Sequence, residues 1–230
     1  KSALAPHGKR TGEILFDGTP IGDVGLREQS ARIGYVMQDP DNQIVTDKVW
    51  HELAFGLESL GVDQKTIRLR VAEMASYFGI KGWFHKKVTE LSGGQKQLLN
   101  LASIMAMQPD VLILDEPTSQ LDPIAASDFL NTVRKINREL RTTVLITEHR
   151  LEDIFHASDR VVIMEDGKVL TADDPRQVGA FLKEKDSPIF AAMPSPVQIY
   201  YGVVGLYENS TGSFRKAYAD TCPLTVREGA

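Results

Sequence analysis

Two almost wholly apolar segments, separated by one predicted helix, restrict the fold of this chain most strongly. Residues 111–116 read VLILDE and residues 142–147 read TTVLIT. Between them, Asp122-Pro123 supplies an N-cap and a first helical position for a helix to about Leu140. Strands that are apolar along their whole length and alternate with helices are typical of parallel sheets covered by helices. We therefore predict an α/β fold with a mostly parallel sheet, in which both strands are fully buried.

The N-terminal part adds an antiparallel element. The segment GEILFDGTPI (12–21) alternates apolar residues around Asp17-Gly18, which predicts a hairpin with its turn at that pair. The segment RIGYVMQ (32–38) predicts a short strand that ends at Gln38.

The middle and the C-terminal part differ in their periodicity. Apolar residues at helical spacing predict a helical lobe over about 44–108, whose last helix is capped by Ser92 and closed by Pro109. Near the C-terminus we predict a short helix at 150–158, a strand at 160–165 that turns at Asp166-Gly167, and an aperiodic appendage or linker over 187–230.

Composition excludes several classes of protein. The formal net charge is -5 and no long Lys/Arg block offsets it, which argues against a general nucleic-acid binder. The single cysteine, Cys222, excludes an internal disulfide framework and fits a reducing compartment. No run approaches the roughly 18 apolar residues of a membrane span, and no secretion signal is visible. We expect a cytosolic protein that would act on a membrane only through a partner.

Two adjacent acids lie where the strand 111–116 ends. Asp115 and Glu116 should share one rim of the sheet with His149, which follows the strand 142–147, because ligands bind at the carboxyl ends of parallel strands. One carboxylate can hold Mg²⁺, its neighbour can take a proton from an attacking water, and a histidine can contact a phosphate. Solvated acids and a surface histidine are the ordinary alternative for each residue taken alone.

The segment LSGGQ (91–95) precedes the last helix of the predicted lobe. Its two glycines let backbone N–H groups approach an anion, and the helix adds the positive end of its dipole. The alternative interpretation of this segment is an ordinary glycine turn before a helix.

The motifs taken together, in this order and spacing, point to one family. Gln38, LSGGQKQ, VLILDEP, SQLD and LITEH resemble the ATP-binding-cassette (ABC) ATPases, and the resemblance covers roughly residues 11 to 185. It implies a P-loop NTPase-like fold over 1–186, the ligands ATP and Mg²⁺, and pairing with a second cassette. It also implies the following roles: Glu116 as the catalytic base and His149 as the switch histidine; Asp115 and Gln38 at the metal; Leu91, Ser92, Gly93, Gly94 and Gln95 as the signature that grips the γ-phosphate of ATP on the opposite subunit; and Asp122 as the residue that couples the two sites.

Further segments of the sequence narrow the resemblance to one type of ABC ATPase. QDPDNQIVTDKVWHELAFGLESLG, TEHRLE and MPSPVQ are similar to ATPases of the energy-coupling-factor type, which power uptake of vitamins and trace metals. CPLTVREG resembles the linker before a second cassette in tandem versions. The resemblance implies an integral membrane subunit and a membrane component that binds substrate as partners, a position at the cytoplasmic face of the membrane, and no nucleic acid. The transported substrate stays open.

One expected motif is incomplete. The family cradles phosphate with a GxxxxGK[ST] loop, whose amides form an anion nest. Lys1 and Ser2 are either the last two residues of such a loop or unrelated sequence, and Pro6 lies where a helix should follow it. We expect this chain alone to bind ATP weakly and hydrolyse it poorly, and a longer parent protein to be an active ATPase.

Two other functions stay open. A soluble ABC ATPase acting on nucleic acid or ribosomes usually carries basic arms, zinc-binding cysteines or a coiled-coil insertion, and none of these is visible. A regulatory cassette deficient in nucleotide binding is the other alternative, which the acid Glu116 and the histidine His149 argue against.

Overall fold

A computed structural model describes residues 11–208 and 219–229 of the chain. They fall into two compact units that divide between Glu148 and His149. None of the helices in these ranges is both long and apolar enough to cross a membrane.

A three-stranded parallel sheet forms the centre of the first unit. Strands β3 (Ile33–Val36), β4 (Val111–Asp115) and β5 (Thr143–Thr147) lie in the order β3-β4-β5. Because the strands are parallel and Asp115 pairs in register with Thr147, their carboxyl ends meet at one rim. Leu112 and Leu114 of the central strand are fully buried. The predicted α/β class and parallel sheet are confirmed.

The prediction that both strands are fully buried is wrong. Val111, Ile113 and Asp115 of β4 are half-buried, and β5 is more exposed still. Strand β5 alternates exposed and half-buried residues, and Leu145 is 58% exposed. β5 hydrogen-bonds only to β4 among the described strands and is therefore an edge strand, and the alternation shows that described residues cover only the face that carries Val144 and Ile146.

The predicted hairpin is present but short. Strands β1 (Leu15–Phe16) and β2 (Thr19–Pro20) pair antiparallel, and both turn residues, Asp17 and Gly18, have positive φ. Two-residue hairpin turns of this kind need a left-handed backbone at both positions, which explains the Asp-Gly pair. A helix that was not predicted, α1 (Leu26–Arg32), leads from the hairpin into β3.

Three helices pack on one another between β3 and β4. They are α2 (Val49–Ser59), α3 (Gln64–Tyr77) and α4 (Gly93–Ala106), and their buried faces include Leu53, Leu57, Ile67, Leu99 and Leu101. Asp63 caps α3 and Ser92 caps α4. After β4, helix α5 (Pro123–Leu140) begins where Asp122 accepts two backbone N–H bonds, as the sequence predicts, and ends at Arg141 in the left-handed conformation.

The second unit joins a β-hairpin to helices. Strand β6 (Val161–Glu165) pairs antiparallel with β7 (Lys168–Asp173) through the predicted Asp166-Gly167 turn, and α6 (Pro175–Glu184) follows. The short helix predicted at 150–158 is wrong, since only a 3₁₀ turn, Phe155–Ala157, forms there.

The predicted loss of periodicity after Ser187 is also wrong in part. Helix α7 (Ser195–Glu208) and the short helix α8 (Val226–Gly229) lie in this segment, and Val197, Tyr201 and Cys222 are fully buried with Val178 and Leu182 of α6. Pro194 and Pro196 hide α7 in the sequence, yet they fall at its start, where proline costs no helical hydrogen bond.

Candidate functional site

Asp115 ends β4 at the rim, and hydroxyl groups from both neighbouring strands hold its carboxylate. The hydroxyl of Tyr35 donates to Oδ2 at 2.7 Å, and Oγ1 of Thr147 donates to Oδ1 at 3.0 Å. Burial first, and then this hydrogen bond, raise the pKa of Tyr35 to about 12. The phenol therefore stays protonated at neutral pH and fixes the orientation of the acid.

Glu116 follows in an unusual backbone conformation. Its φ is 42°, in the left-handed region that a non-glycine residue seldom adopts. Its backbone N–H lies 3.1 Å from both the carbonyl oxygen and Oγ1 of Thr147, and these contacts hold the turn. The chain reverses direction here, and Nε2 of Gln38 donates to Oε2 of Glu116 at 3.1 Å.

The structure thus brings together three of the predicted residues. Gln38, Asp115 and Glu116 lie on adjacent strand ends, although Gln38 and Glu116 are 78 positions apart in sequence. Tyr35 and Thr147, which donate hydrogen bonds to Asp115, were not predicted. Their only signal is the pairing of β3 and β5 with β4, and the order of strands cannot be read from the sequence.

The signature segment forms the first turn of α4. Ser92 and Gln95 make a capping box, in which the hydroxyl of Ser92 accepts from the Gln95 N–H and Oε1 of Gln95 accepts from the Ser92 N–H. Leu91, just before them, is 7% exposed and anchors the turn. A cluster of N–H groups therefore stands at the positive end of a 14-residue helix.

The two signature glycines differ in their surroundings. A Cβ added at Gly93 would meet no atom within 4 Å, whereas one added at Gly94 would lie 3.1 Å from Cβ of Ala125 in α5. Gly94 lets the starts of α4 and α5 pack closely, and Gly93 presents open backbone.

Asp122 and His149 are both exposed. The exposed Asp122 uses Oδ1 to cap α5 through the N–H groups of Ile124 and Ala125. The exposed His149 is the first residue of the second unit, two positions beyond β5. Their catalytic and coupling roles stay predictions.

The chemistry of the rim fits a magnesium ion that is bound mainly by phosphates and water. The described residues contain no group of three or more His, Cys, Asp or Glu that could hold a metal. Mg²⁺ in nucleotide sites usually takes only one or two side-chain ligands, with waters and substrate phosphates as the rest. Asp115 and Gln38 are the residues that would hold it, because a carboxylate and an amide oxygen are both ligands that Mg²⁺ accepts.

Comparison with known proteins agrees with this fold. Residues 3–119 match the family model described as ABC transporter. A Bacillus thuringiensis protein described as an ABC transporter ATP-binding protein is 44% identical over 84% of this chain and 36% of its own length. A Methanosarcina acetivorans protein of the same description is 38% identical over 86% of the chain and 31% of its own length. The chain thus spans about a third of the length of these curated relatives.

Two solved structures share the fold. The structure of cbiO1 from Clostridium perfringens, titled as part of the ABC transporter complex cbiONQ, superposes with a TM-score of 0.68. It is 31% identical over 86% of this chain and 76% of its own. The ATP-binding cassette MJ0796, a dimer in a post-hydrolysis state with ADP and Pi, gives a TM-score of 0.62 at 21% identity and supports the fold alone; it covers 72% of this chain and 74% of its own.

The architecture and the rim define a nucleotide-binding α/β protein of the P-loop NTPase type. More particularly, the chain belongs to the ABC transporter ATP-binding family.

Proposed function

We propose that this chain is the ATP-hydrolysing part of an energy-coupling-factor ABC importer that takes up vitamins or trace metal ions. The observation that carries the proposal is the hydrogen bond from Gln38 to Glu116, beside the hydroxyl-held Asp115 at the rim of the sheet. The likeness to cbiO1, whose title places it in a transporter complex, supports the importer class.

The proposed reaction is hydrolysis of the terminal phosphoanhydride of ATP. Water attacks the γ-phosphorus and gives its proton to Glu116, while the bond to the β-phosphate oxygen breaks and leaves ADP and inorganic phosphate. Gln38 donates to Oε2 of Glu116 and thereby orients the carboxylate that accepts the proton. Bound Mg²⁺ supplies charge neutralisation on the phosphates. In this proposal His149 acts as the switch residue by contacting the γ-phosphate.

Pairing completes each site. Leu91 to Gln95 of one cassette would meet the γ-phosphate bound by the other, where the open backbone of Gly93 and the start of α4 suit an anion. Asp122 would couple the two sites from the first turn of α5. The second cassette is either another copy or a tandem partner.

A groove near α2 suits the docking of a membrane subunit. Its volume is about 670 Å³, and its lining includes Gln43, which lies five residues after Gln38, together with Phe55, Gly56 and Leu60. The side chain of Phe55 is 45% exposed there. We propose that the membrane subunit docks over residues 44–60, which would place the chain at the cytoplasmic face of the membrane.

The decisive experiment replaces the base in the parent protein that supplies the phosphate loop. Lys1 and Ser2, the two residues that could end such a loop, lie outside the described residues. Glu116→Gln should abolish steady-state phosphate release, while ATP still drives pairing on size-exclusion chromatography. Unchanged phosphate release in this variant would refute Glu116 as the base, and a wild-type protein without ATPase activity would refute the function.

A further inference from the structure

Gln97, on the first turns of α4, is completely buried and reaches two loops at once. Its side-chain Nε2 donates to the carbonyl oxygens of Met37 and of Pro117, each at 3.1 Å. Both hydrogens of one amide group are thereby used on backbone acceptors that lie far apart in the sequence.

The two carbonyls flank the two residues that meet at the rim. Met37 immediately precedes Gln38, and Pro117 immediately follows Glu116. With the bond from Gln38 to Glu116, these contacts close a ring that runs through both loops and through Gln97. The ring fixes the distance between the two loops on the side where Gln97 of α4 lies.

The sheet itself does not supply this connection. Pairing between β3 and β4 ends at Val36 and Leu114, so residues 37–38 and 116–117 lie beyond the ladder. The amide of Gln97 spans the gap at the point where the backbone pairing stops.

The amide oxygen of Gln97 shows that this position carries a cost in stability. Oε1 of Gln97 is buried without a hydrogen-bond partner. A buried acceptor left in this state lowers the stability of the fold, so a residue kept only for packing would be more stable as an apolar one. The cost is consistent with a side chain held for its two donors.

We propose that Gln97 is a positioning residue for ATP hydrolysis, which holds Gln38 in hydrogen-bond contact with Glu116 by bridging the loops that carry them. The inference rests on the proposed function. Gln97 does not touch the reacting atoms, and it acts through Gln38.

The test is a double-mutant cycle in the parent protein. Gln97→Met keeps the length and the burial of the side chain and removes both donors. Displacement of catalytic groups by about an ångström costs up to about a hundredfold, so kcat should fall by about tenfold to a hundredfold, with KM for ATP within about twofold. If Gln97 acts through Gln38, adding Gln97→Met to Gln38→Ala should lower kcat by no more than about twofold further.

Asn100 provides the matched control on the same helix. It is also fully buried, and its Nδ2 donates to the carbonyl of Pro40 at 3.3 Å, but it does not reach Pro117. Asn100→Leu should lower kcat by about threefold or less, because the bridge between the two loops survives.

Urea unfolding identifies variants that fold. If Gln97→Met does not fold, Gln97→Asn replaces it, since this change keeps a buried amide and draws the donor back by one methylene. A wild-type kcat in a folded variant, multiplicative losses with Gln38→Ala, or an equal loss in Asn100→Leu would each overturn the inference. These results differ from failure of the proposed function, in which the wild type or Glu116→Gln would already behave unexpectedly in the same assay.

Discussion

The two signature glycines should respond oppositely to the same substitution. Gly93 and Gly94 are the first two residues of α4, and neither has the positive φ that would itself penalise alanine. A methyl group at Gly93 meets nothing within 4 Å, whereas a methyl group at Gly94 meets Cβ of Ala125 at 3.1 Å. Carbon atoms pack best at about 3.5–4.0 Å, so the second contact is too close.

The magnitude follows from two opposing terms. Alanine is better than glycine in a helix by up to about 1 kcal/mol, and this gain applies to both positions. Overpacking at Gly94 costs about 1–3 kcal/mol, because two helix backbones must move apart. The helix term cancels in the comparison, so Gly94→Ala should be less stable than Gly93→Ala by about 1–3 kcal/mol.

Urea unfolding followed by tryptophan fluorescence measures this difference. The chain contains two tryptophans: Trp50 lies in α2, which packs with α4, and Trp83 lies in a short 3₁₀ helix that packs with α3. Ala125→Gly removes the opposing methyl and should offset part of the loss in Gly94→Ala, with a coupling energy of about 0.5–3 kcal/mol. Equal unfolding free energies for Gly93→Ala and Gly94→Ala, or no coupling to Ala125, would refute the close packing of the two helix starts.

Two further predictions concern a cap and a thiol. Asp122→Ala removes both hydrogen bonds at the start of α5 and should lower the unfolding free energy by about 1 kcal/mol, while Asp128→Ala, an exposed change within the helix, should alter it by less than about 0.5 kcal/mol. Burial raises the pKa of the Cys222 thiol to about 11, so a disulfide reagent at pH 8 should label the folded chain slowly and the urea-unfolded chain quickly. Because the folded pKa lies above the unfolded value, stability should also fall as pH rises from about 9 towards 11. Cys222→Ser should weaken this fall, most clearly between about pH 9 and 10, since tyrosines with a raised pKa, such as Tyr35, contribute only above about pH 10. Equally fast labelling of the folded chain, or an unchanged pH dependence in the variant, would contradict the burial.

Local chemistry explains which elements could be predicted from the sequence. Asp122-Pro123 and Ser92 carry their own start signals, and Asp17-Gly18 satisfies a turn that needs positive φ twice. The adjacency of Asp115 and Glu116 at a strand end is equally local, so these site residues could be named before the structure. The place of Gln38 at the site was predicted from the family resemblance rather than from the sequence pattern, and its hydrogen bond to Glu116 was not predicted.

Non-local geometry explains what could not be predicted. Tyr35 and Thr147 hold Asp115 only because β3 and β5 flank β4, and strand order leaves no local signal. Only one face of β5 is covered by described residues, which leaves Leu145 exposed in a segment that looks like a buried strand. The sequence did not predict helix α7, because Pro194 and Pro196 suggest that a helix is interrupted there. Both prolines lie where the helix begins.

The most direct test of the account mixes two inactive variants of the parent protein. One carries Glu116→Gln, and the other carries Gly93→Asp, which places a carboxylate at an exposed helix start that tolerates it but repels a bound triphosphate. When the second cassette is another copy of the chain, a mixed pair contains one intact site, built from the base of one copy and the signature of the other. The account predicts that phosphate release appears on mixing, although neither variant releases phosphate alone; a mixture no more active than the sum of its parts would contradict a site shared between two copies of the chain.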